Sequence, residues 1–461
     1  MFSLARCCLF FLPLLTISAL CPAQDDLSAV HRKVDLLQKE IEARAEAEAR
    51  LRDRVNALES QLAKERSETA ERIHVLETRT APEATELERA IARLETIERS
   101  PAAQSALALS GYFDLEFRVD QAVRNPTFDQ HRFVLKADAE IAAGISFKSE
   151  LEIEGGGADV SYLSGQQILL EYAELHFEAA QEFTFKVGAL LVPFGRLNAL
   201  HDSPLQDLTD RPLVDTFIVP TTWQMAGIGA QGAFDLDPFV IDYDVVLTNG
   251  LDDDFSATPG GGLRDARSSF RRDSNDDLMI TGRLGFTIDV GFLDAFNLGF
   301  SFANGEYDDD NRQDITMFGI DGTIRVGPFE LLGEYAAANL ERGPAQAAAG
   351  VPGGMDGWYV QLNYHFFPET WRGTWRFFTE ESTFTLVFRY GTTDTDDSAL
   401  GIDRAARGDA FRDDLQHATF GVNFRPLEKT VFKIEYQWFF EKDGIDDAAN
   451  DRLVFSIATY F

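Results

Sequence analysis

Between Val192 and Met225 the sequence sets charged residues of both signs into an apolar, proline-rich stretch. Arg196, Asp202, Asp207, Asp210, Arg211 and Asp215 stand among Leu213, Val214, Phe217 and Ile218, with prolines at Pro193, Pro204, Pro212 and Pro220. Fixed charges in such a setting can act on passing ions, because little water remains to screen them. His201-Asp202 has the residue types of a catalytic or metal-binding pair, yet a lone loop histidine is more often neither. No recognisable serine–histidine–acid motif accompanies it. The expectation is therefore no catalytic residue, no metal, no cofactor, and a protein that is not an enzyme. The aspartate groups Asp252–Asp254, Asp308–Asp310 and Asp394, Asp396, Asp397 lack the glycine-and-glutamate spacing of an EF-hand and read as solvated loops.

Such a stretch needs a wall to pack on, because an exposed loop has no use for Leu213, Val214, Phe217 and Ile218. The flanking sequence predicts that wall. From Leu107 to Phe461 apolar and polar residues alternate with period two in about 16 segments, each close to the length of a tilted membrane-crossing strand. In Lys429–Phe440, for example, Phe432, Ile434, Tyr436, Trp438 and Phe440 share one face, and Lys433, Glu435 and Gln437 the other. Short links such as Ala142-Ala143 and Asp237 alternate with long ones rich in Gly and Asp, such as Gly155–Gln167 and Gly250–Asp276. That asymmetry belongs to an outer-membrane barrel with tight periplasmic turns and long outer loops. One link departs from it: Pro368–Glu381 is long where a tight turn is due.

The fold class expected is all-β: a 16-stranded antiparallel transmembrane β-barrel over 107–461, with an inserted constriction loop at 192–225 and an N-terminal α-helical coiled coil. Parity places Arg118, Arg132, Lys136, Lys148, Lys186, Arg283, Arg325, Arg389, Lys433 and Arg452 on the inner wall. Asp114, Glu116, Glu150, Glu152, Glu174, Asp244, Asp321 and Glu334 are among their acidic neighbours there. Aromatic residues crowd strand ends, as at Trp438-Phe439-Phe440, in the manner of interfacial girdles.

Residues 1–23 read as a secretory signal: Arg6, then an apolar run, then Ala23 as a small exit residue. The sequence's cysteines, Cys7, Cys8 and Cys21, all fall inside it, which leaves no disulfide or thiolate chemistry for the rest. Residues 24–80 read as a periplasmic coiled coil. Leu27, Val30, Val34, Leu37 and Ile41 keep heptad spacing, and Leu51, Val55, Leu58 and Leu62 resume it. Residues 81–106 form a short helix and linker between Pro82 and the first strand. The formal net charge of −34 argues against nucleic-acid binding, which needs a basic footprint.

The motifs Lys186-Val187-Gly188, Val192-Pro193-Phe194-Gly195-Arg196, His201-Asp202, Asp210-Arg211-Pro212, Val219-Pro220-Thr221-Thr222-Trp223 and Gly227-Ile228-Gly229 resemble the phosphate-selective porins O and P. The resemblance covers most of 107–461. It implies a trimeric 16-stranded barrel in the cell outer membrane whose inserted loop forms the constriction, with lipid, lipopolysaccharide and small solutes or ions as partners. Phosphate selection in that family depends on arginines along the path and lysines at the constriction. Here Arg196 and Arg211 face Asp202, Asp207, Asp210 and Asp215. The loop's own charges thus predict a constriction that favours cations or neutral solutes over phosphate. The rival function is a structural outer-membrane protein that tethers the membrane to the cell wall through its coiled coil.

Overall fold

In the computed structural model the chain divides into two compact units, Met1–Arg99 and Ser100–Phe461. The structure describes residues 107–121, 126–155, 167–253, 262–267, 270–271, 273, 275–288, 293, 295–310, 312–349, 351–395, 414–441 and 450–461. In the first unit it describes Arg52, Asp53, Arg54, Asn56, Ser60 and Lys64, all helical and exposed. Ser60 Oγ donates to Asn56 O at 2.9 Å, one helical turn back. The signal and the apolar heptad positions lie outside the described residues.

The second unit is a closed antiparallel barrel of sixteen strands. They are β1 (Leu107–Asp120), β2 (Thr127–Ala142), β3 (Ile145–Glu154), β4 (Gln167–Ala180), β5 (Phe183–Leu191) and β6 (Gln224–Leu236). There follow β7 (Phe239–Asn249), β8 (Leu278–Ile288), β9 (Ala295–Glu306), β10 (Asp314–Val326) and β11 (Phe329–Leu340). The ring is completed by β12 (Gly354–Phe366), β13 (Thr383–Asp394), β14 (Asp414–Leu427), β15 (Thr430–Glu441) and β16 (Arg452–Tyr460). Each strand pairs with its sequence neighbours, and β1 closes on β16 from Tyr112 opposite Tyr460 to Asp120 opposite Arg452. Closure leaves no unpaired edge, which lipid would not tolerate.

The period-two pattern sorts the side chains. On β9 and β10, Phe300, Phe302, Phe318 and Ile320 are exposed, and the alternate residues Ser301, Ala303, Met317 and Asp321 are buried. On β15, Phe432 and Ile434 are exposed, and Lys433, Glu435 and Gln437 are buried. Apolar outside and charged inside is the reverse of a water-soluble protein, and it marks the outer face as lipid-facing. Glycine Gly144 turns the β2–β3 link with a positive φ of 73°, where a Cβ would be strained. Among the described residues no helix is long and apolar enough to cross a membrane.

The apolar core lies inside the ring. Val192, Phe194, Val214, Ile218, Val219 and Trp223 are buried against Met279, Ala303, Met317, Ala336 and Tyr359 of the wall. Full burial of side chains of this size stabilises by roughly 1.5–3 kcal/mol each. The link after β7, expected as a solvated outer loop, differs from that expectation. Leu251, Leu263 and Ala266 are fully buried in the same core, and Leu263 N donates to Phe217 O at 2.6 Å. Its apolar residues are few, and glycine and aspartate around them mask the signal.

Candidate functional site

The segment between β5 and β6 closes at its base through Asn198. This buried amide donates to Val192 O (2.7 Å) and Trp223 O (3.0 Å) and accepts from Trp223 N (2.7 Å). Backbone pairing of Val192 N with Trp223 O at 2.9 Å completes the neck. Beyond the neck, Gly195 turns with φ 70°, and a Cβ there would collide with the Glu334 carboxylate. Only glycine lets the chain pass so close to the wall.

From this base the segment reaches around the ring. Gly195 N donates to Ser301 Oγ on β9 (3.0 Å), and Arg196 N to Glu334 Oε2 on β11 (3.2 Å). His201 Nε2 meets Glu171 on β4 at 2.8 Å, and Lys136 Nζ on β2 donates to Asp202 at 2.6 Å. Tyr460 on β16 donates to the same Asp202 oxygen at 2.7 Å. Asp207 accepts from Asn363 on β12 (2.8 Å) and from Asn423 and Arg425 on β14 (3.2 and 3.3 Å). Asp210 receives both Nη atoms of Arg118 on β1 (3.0 and 2.6 Å) and Gln437 on β15 (2.8 Å). A loop bonded to inward-facing residues on so many strands runs through the interior of the ring.

Two cavities flank it. One, of about 580 Å³, lies toward the short links and is lined by Lys136, Lys148, Lys186, Asp242, Asp244 and Arg283. The other, of about 490 Å³, lies toward the long links and is lined by Arg118, Arg132, Arg211, Arg264 and Arg452 with Glu116 and Asp210. His201 borders both.

The electrostatics of the loop differ from its charge count. Burial would raise the Asp210 pKa, but the Arg118 guanidinium outweighs it and holds the carboxyl below the usual range. Burial, with Arg132 and Arg264 nearby, pushes Arg211 down to about 9. Burial would lower His201, but the Glu171 carboxylate reverses this and raises it. Arg211 Nη1 donates to Thr221 O at 2.6 Å and Nη2 to Thr222 Oγ1 at 3.3 Å. Arg264 also donates to Thr221 O, and Arg267 to Thr222 O at 2.6 Å, so the link after β7 adds two cations beside Arg211.

Several sequence-predicted site residues have different surroundings. Asp215 is fully buried and neither of its oxygens accepts a hydrogen bond, so it lies behind the loop, not at an opening. Burial raises its pKa to about 7. Lys433 and Arg389, expected as water-facing wall, are covered by the loop: Lys433 donates to Ser203 O and Leu208 O, Arg389 to Asp210 O. Arg132 pairs with Glu152, Lys186 with Asp244, Arg283 with Asp321 and Arg452 with Asp120. Arg325 is exposed at the short-link end of β10. Among the described residues one group is close enough to chelate a cation, Glu150, His201 and Asp202. The Lys136 ammonium already lies 3.0 Å from Glu150 and 2.6 Å from Asp202.

Sequence reasoning missed Glu171. Strict alternation turns it toward lipid, but the β3–β4 register slips between Glu150–Tyr172 and Leu151–Leu170, and this bulge brings Glu171 inward. Asn198, Arg264 and Arg267 were missed as well, since only tertiary contact sets them apart from ordinary loop residues.

A closed barrel with a lipid-facing outer surface, a charged lumen and a loop folded through it defines a porin. The family described as phosphate-selective porin O and P matches residues 106–451, and the chain belongs to it. The protein is an outer-membrane channel for small solutes. An uncharacterized protein of Aquifex aeolicus (strain VF5) is 25% identical over 351 residues, 72% of this chain and 76% of that one. Similar solved structures include the anion-selective porin from Comamonas acidovorans (13% identity, 78% of this chain, 100% of that one, TM-score 0.47). The outer membrane channel DcaP of Acinetobacter baumannii is another (10% identity, 78% of this chain, 98% of that one, TM-score 0.45).

Proposed function

We propose that residues 192–225 form the constriction of this channel, and that Arg196, Asp202, Asp207, Asp210 and Arg211 set its field. The observation that supports this most is that His201 borders both cavities, so a solute passing between them meets the loop there. Asp215 acts from behind, through the packing of the loop.

The loop's charge count favoured cations or neutral solutes; its contacts favour a different balance. Asp202, Asp207 and Asp210 are each held by a wall cation, Lys136, Arg425 and Arg118 respectively. The cavity toward the long links carries five arginines against Glu116 and Asp210. Small anions entering from that side meet a positive chamber in a strongly acidic protein. Reversal potentials in planar bilayers with chloride and phosphate gradients test this. Anion preference supports it, and strong cation preference removes it.

Residues 1–23 act as the signal, and 24–80, followed by the linker 81–106, stand in the periplasm as a coiled coil. A helix with one apolar stripe needs partners, so three copies burying their seams together fit a homotrimer. Lipopolysaccharide meets the long-link rim. The tether to the cell wall stays as the second reading, favoured by the coiled coil alone. Non-conducting trimers that sediment with cell-wall glycan would select it.

A further inference from the structure

The link Pro368–Glu381 sits on the rim where turns are otherwise tight, and the channel has no use for it. It is a built element. Arg372 donates to Thr379 O (3.0 Å) and Glu380 O (2.6 Å), and its guanidinium lies 4.8 Å over the Phe367 ring. Thr379 and Ser382 hydroxyls both donate to Pro426 O in the neighbouring turn, at 2.9 and 3.1 Å.

It folds onto the outside of the barrel. Phe378 packs on Phe384 and Phe424, and Trp371 on Phe384. The neighbours Thr385 and Asn423 are buried toward the lumen, so alternation puts Phe384 and Phe424 on the lipid side. Trp371, Trp375 and Phe377 nevertheless remain 47%, 70% and 63% exposed. Phe384 and Phe424 also end an apolar groove of about 490 Å³ on the outer face, which continues past Phe432 and Ile434 to Phe455 and Phe117.

We propose that this knob and groove form a binding site for one diacyl phospholipid of the periplasmic leaflet. An acyl chain lies along the groove, and the phosphodiester sits beside the exposed Arg376, next to the Trp371 and Trp375 indoles that stack on Phe378. Four arguments select this occupant. The groove is continuous with the lipid-facing belt. Indole rings partition to the headgroup level of a bilayer. Arginine recognises phosphate oxygens. The periplasmic leaflet, which the short-link rim faces, is where phospholipid is found.

The test uses the full-length protein with phosphatidylethanolamine. Native mass spectrometry from mild detergent should show retained lipid, and Trp375→Ala with Arg376→Ala, both exposed, should reduce retention about threefold or more. In vesicles, Trp375→Cys labelled at the new thiol with a fluorophore should be quenched by lipids brominated near the carbonyl. Unchanged retention in the double variant, or an unquenched label, overturns the proposal. A disulfide between the new thiols of two copies overturns it in favour of a contact between protomers. Sedimentation of the protein with cell-wall glycan, lost in the double variant, overturns it in favour of the wall.

Discussion

His201 Nε2 lies 2.8 Å from Glu171 Oε2, and His201 Nδ1 lies 2.9 Å from Asn198 O, so one buried ring joins the loop's neck to the fourth strand. With Nδ1–H donated to the Asn198 carbonyl, the contact with the Glu171 carboxylate favours a second proton on Nε2. Asp202, Glu150 and Arg211 also act on it, and Lys136 is paired with the first two of these.

The sign of its pH dependence follows. The His201 pKa is raised above its ordinary 6.5, so the stabilisation is complete below that value and is lost as pH rises through the folded pKa. Single-channel current should therefore grow noisier on the alkaline side as the loop loosens. The variant His201→Gln should be noisy at every pH. A wild-type trace that stays quiet at high pH, or a variant that keeps the pH dependence, contradicts this.

Asp215 has the same sign for a different reason. Burial lifts its carboxyl to about 7 from 3.8, so folding favours the protonated form, and stability falls as pH rises from about 4 through 7. The variant Asp215→Asn keeps the shape without the charge. It should be more stable than the parent at pH 8 by on the order of a few kcal/mol, with little difference at pH 4. Thermal melting at the two pH values measures it.

Asn198 makes a third case. Its replacement by alanine leaves Trp223 N without an acceptor at a buried neck, while the Val192 and Trp223 carbonyls keep only Phe194 N and Val192 N. Each orphaned buried group costs about 1–3 kcal/mol. Asn198→Ala should lower the melting temperature and speed proteolysis within 192–225, with the barrel itself still resistant. Equal protease resistance of loop and barrel would refute it.

These residues mark where the sequence was legible. Strand number and alternation were readable because lipid outside and charge inside impose a period of two on the strands. Val214 and Ile218, apolar in a loop, announced the inner packing for the same reason. Glu171 was hidden because one inserted residue reverses parity for its neighbours. Asp215 and Lys433 were identified as charged but not as covered, since sequence does not tell which face of a loop meets water and which meets wall. Asp210 looked like a free negative charge because Arg118, its partner, is distant along the chain.

That pairing yields the last prediction. Replacing Asp207 and Asp210 by asparagine removes two carboxylates and keeps their shapes, which takes from Arg425 its Asp207 partner and leaves Arg118 with Glu116 alone. Through water, a unit charge about 10 Å from the path is worth ~0.4 kcal/mol, roughly a twofold change in permeability ratio. The double variant should therefore shift reversal potential toward anions by about twofold to fourfold in permeability ratio. Arg211→Ala should shift it the other way, since its guanidinium donates to Thr221 and Thr222 oxygens and brings its charge to the chamber. Shortening the loop between Ser203 and Pro220 should raise single-channel conductance whatever the ion. If conductance stays at the parental value after shortening, 192–225 does not constrict the pore. If neither charge variant moves the reversal potential, the selectivity is set elsewhere on the wall.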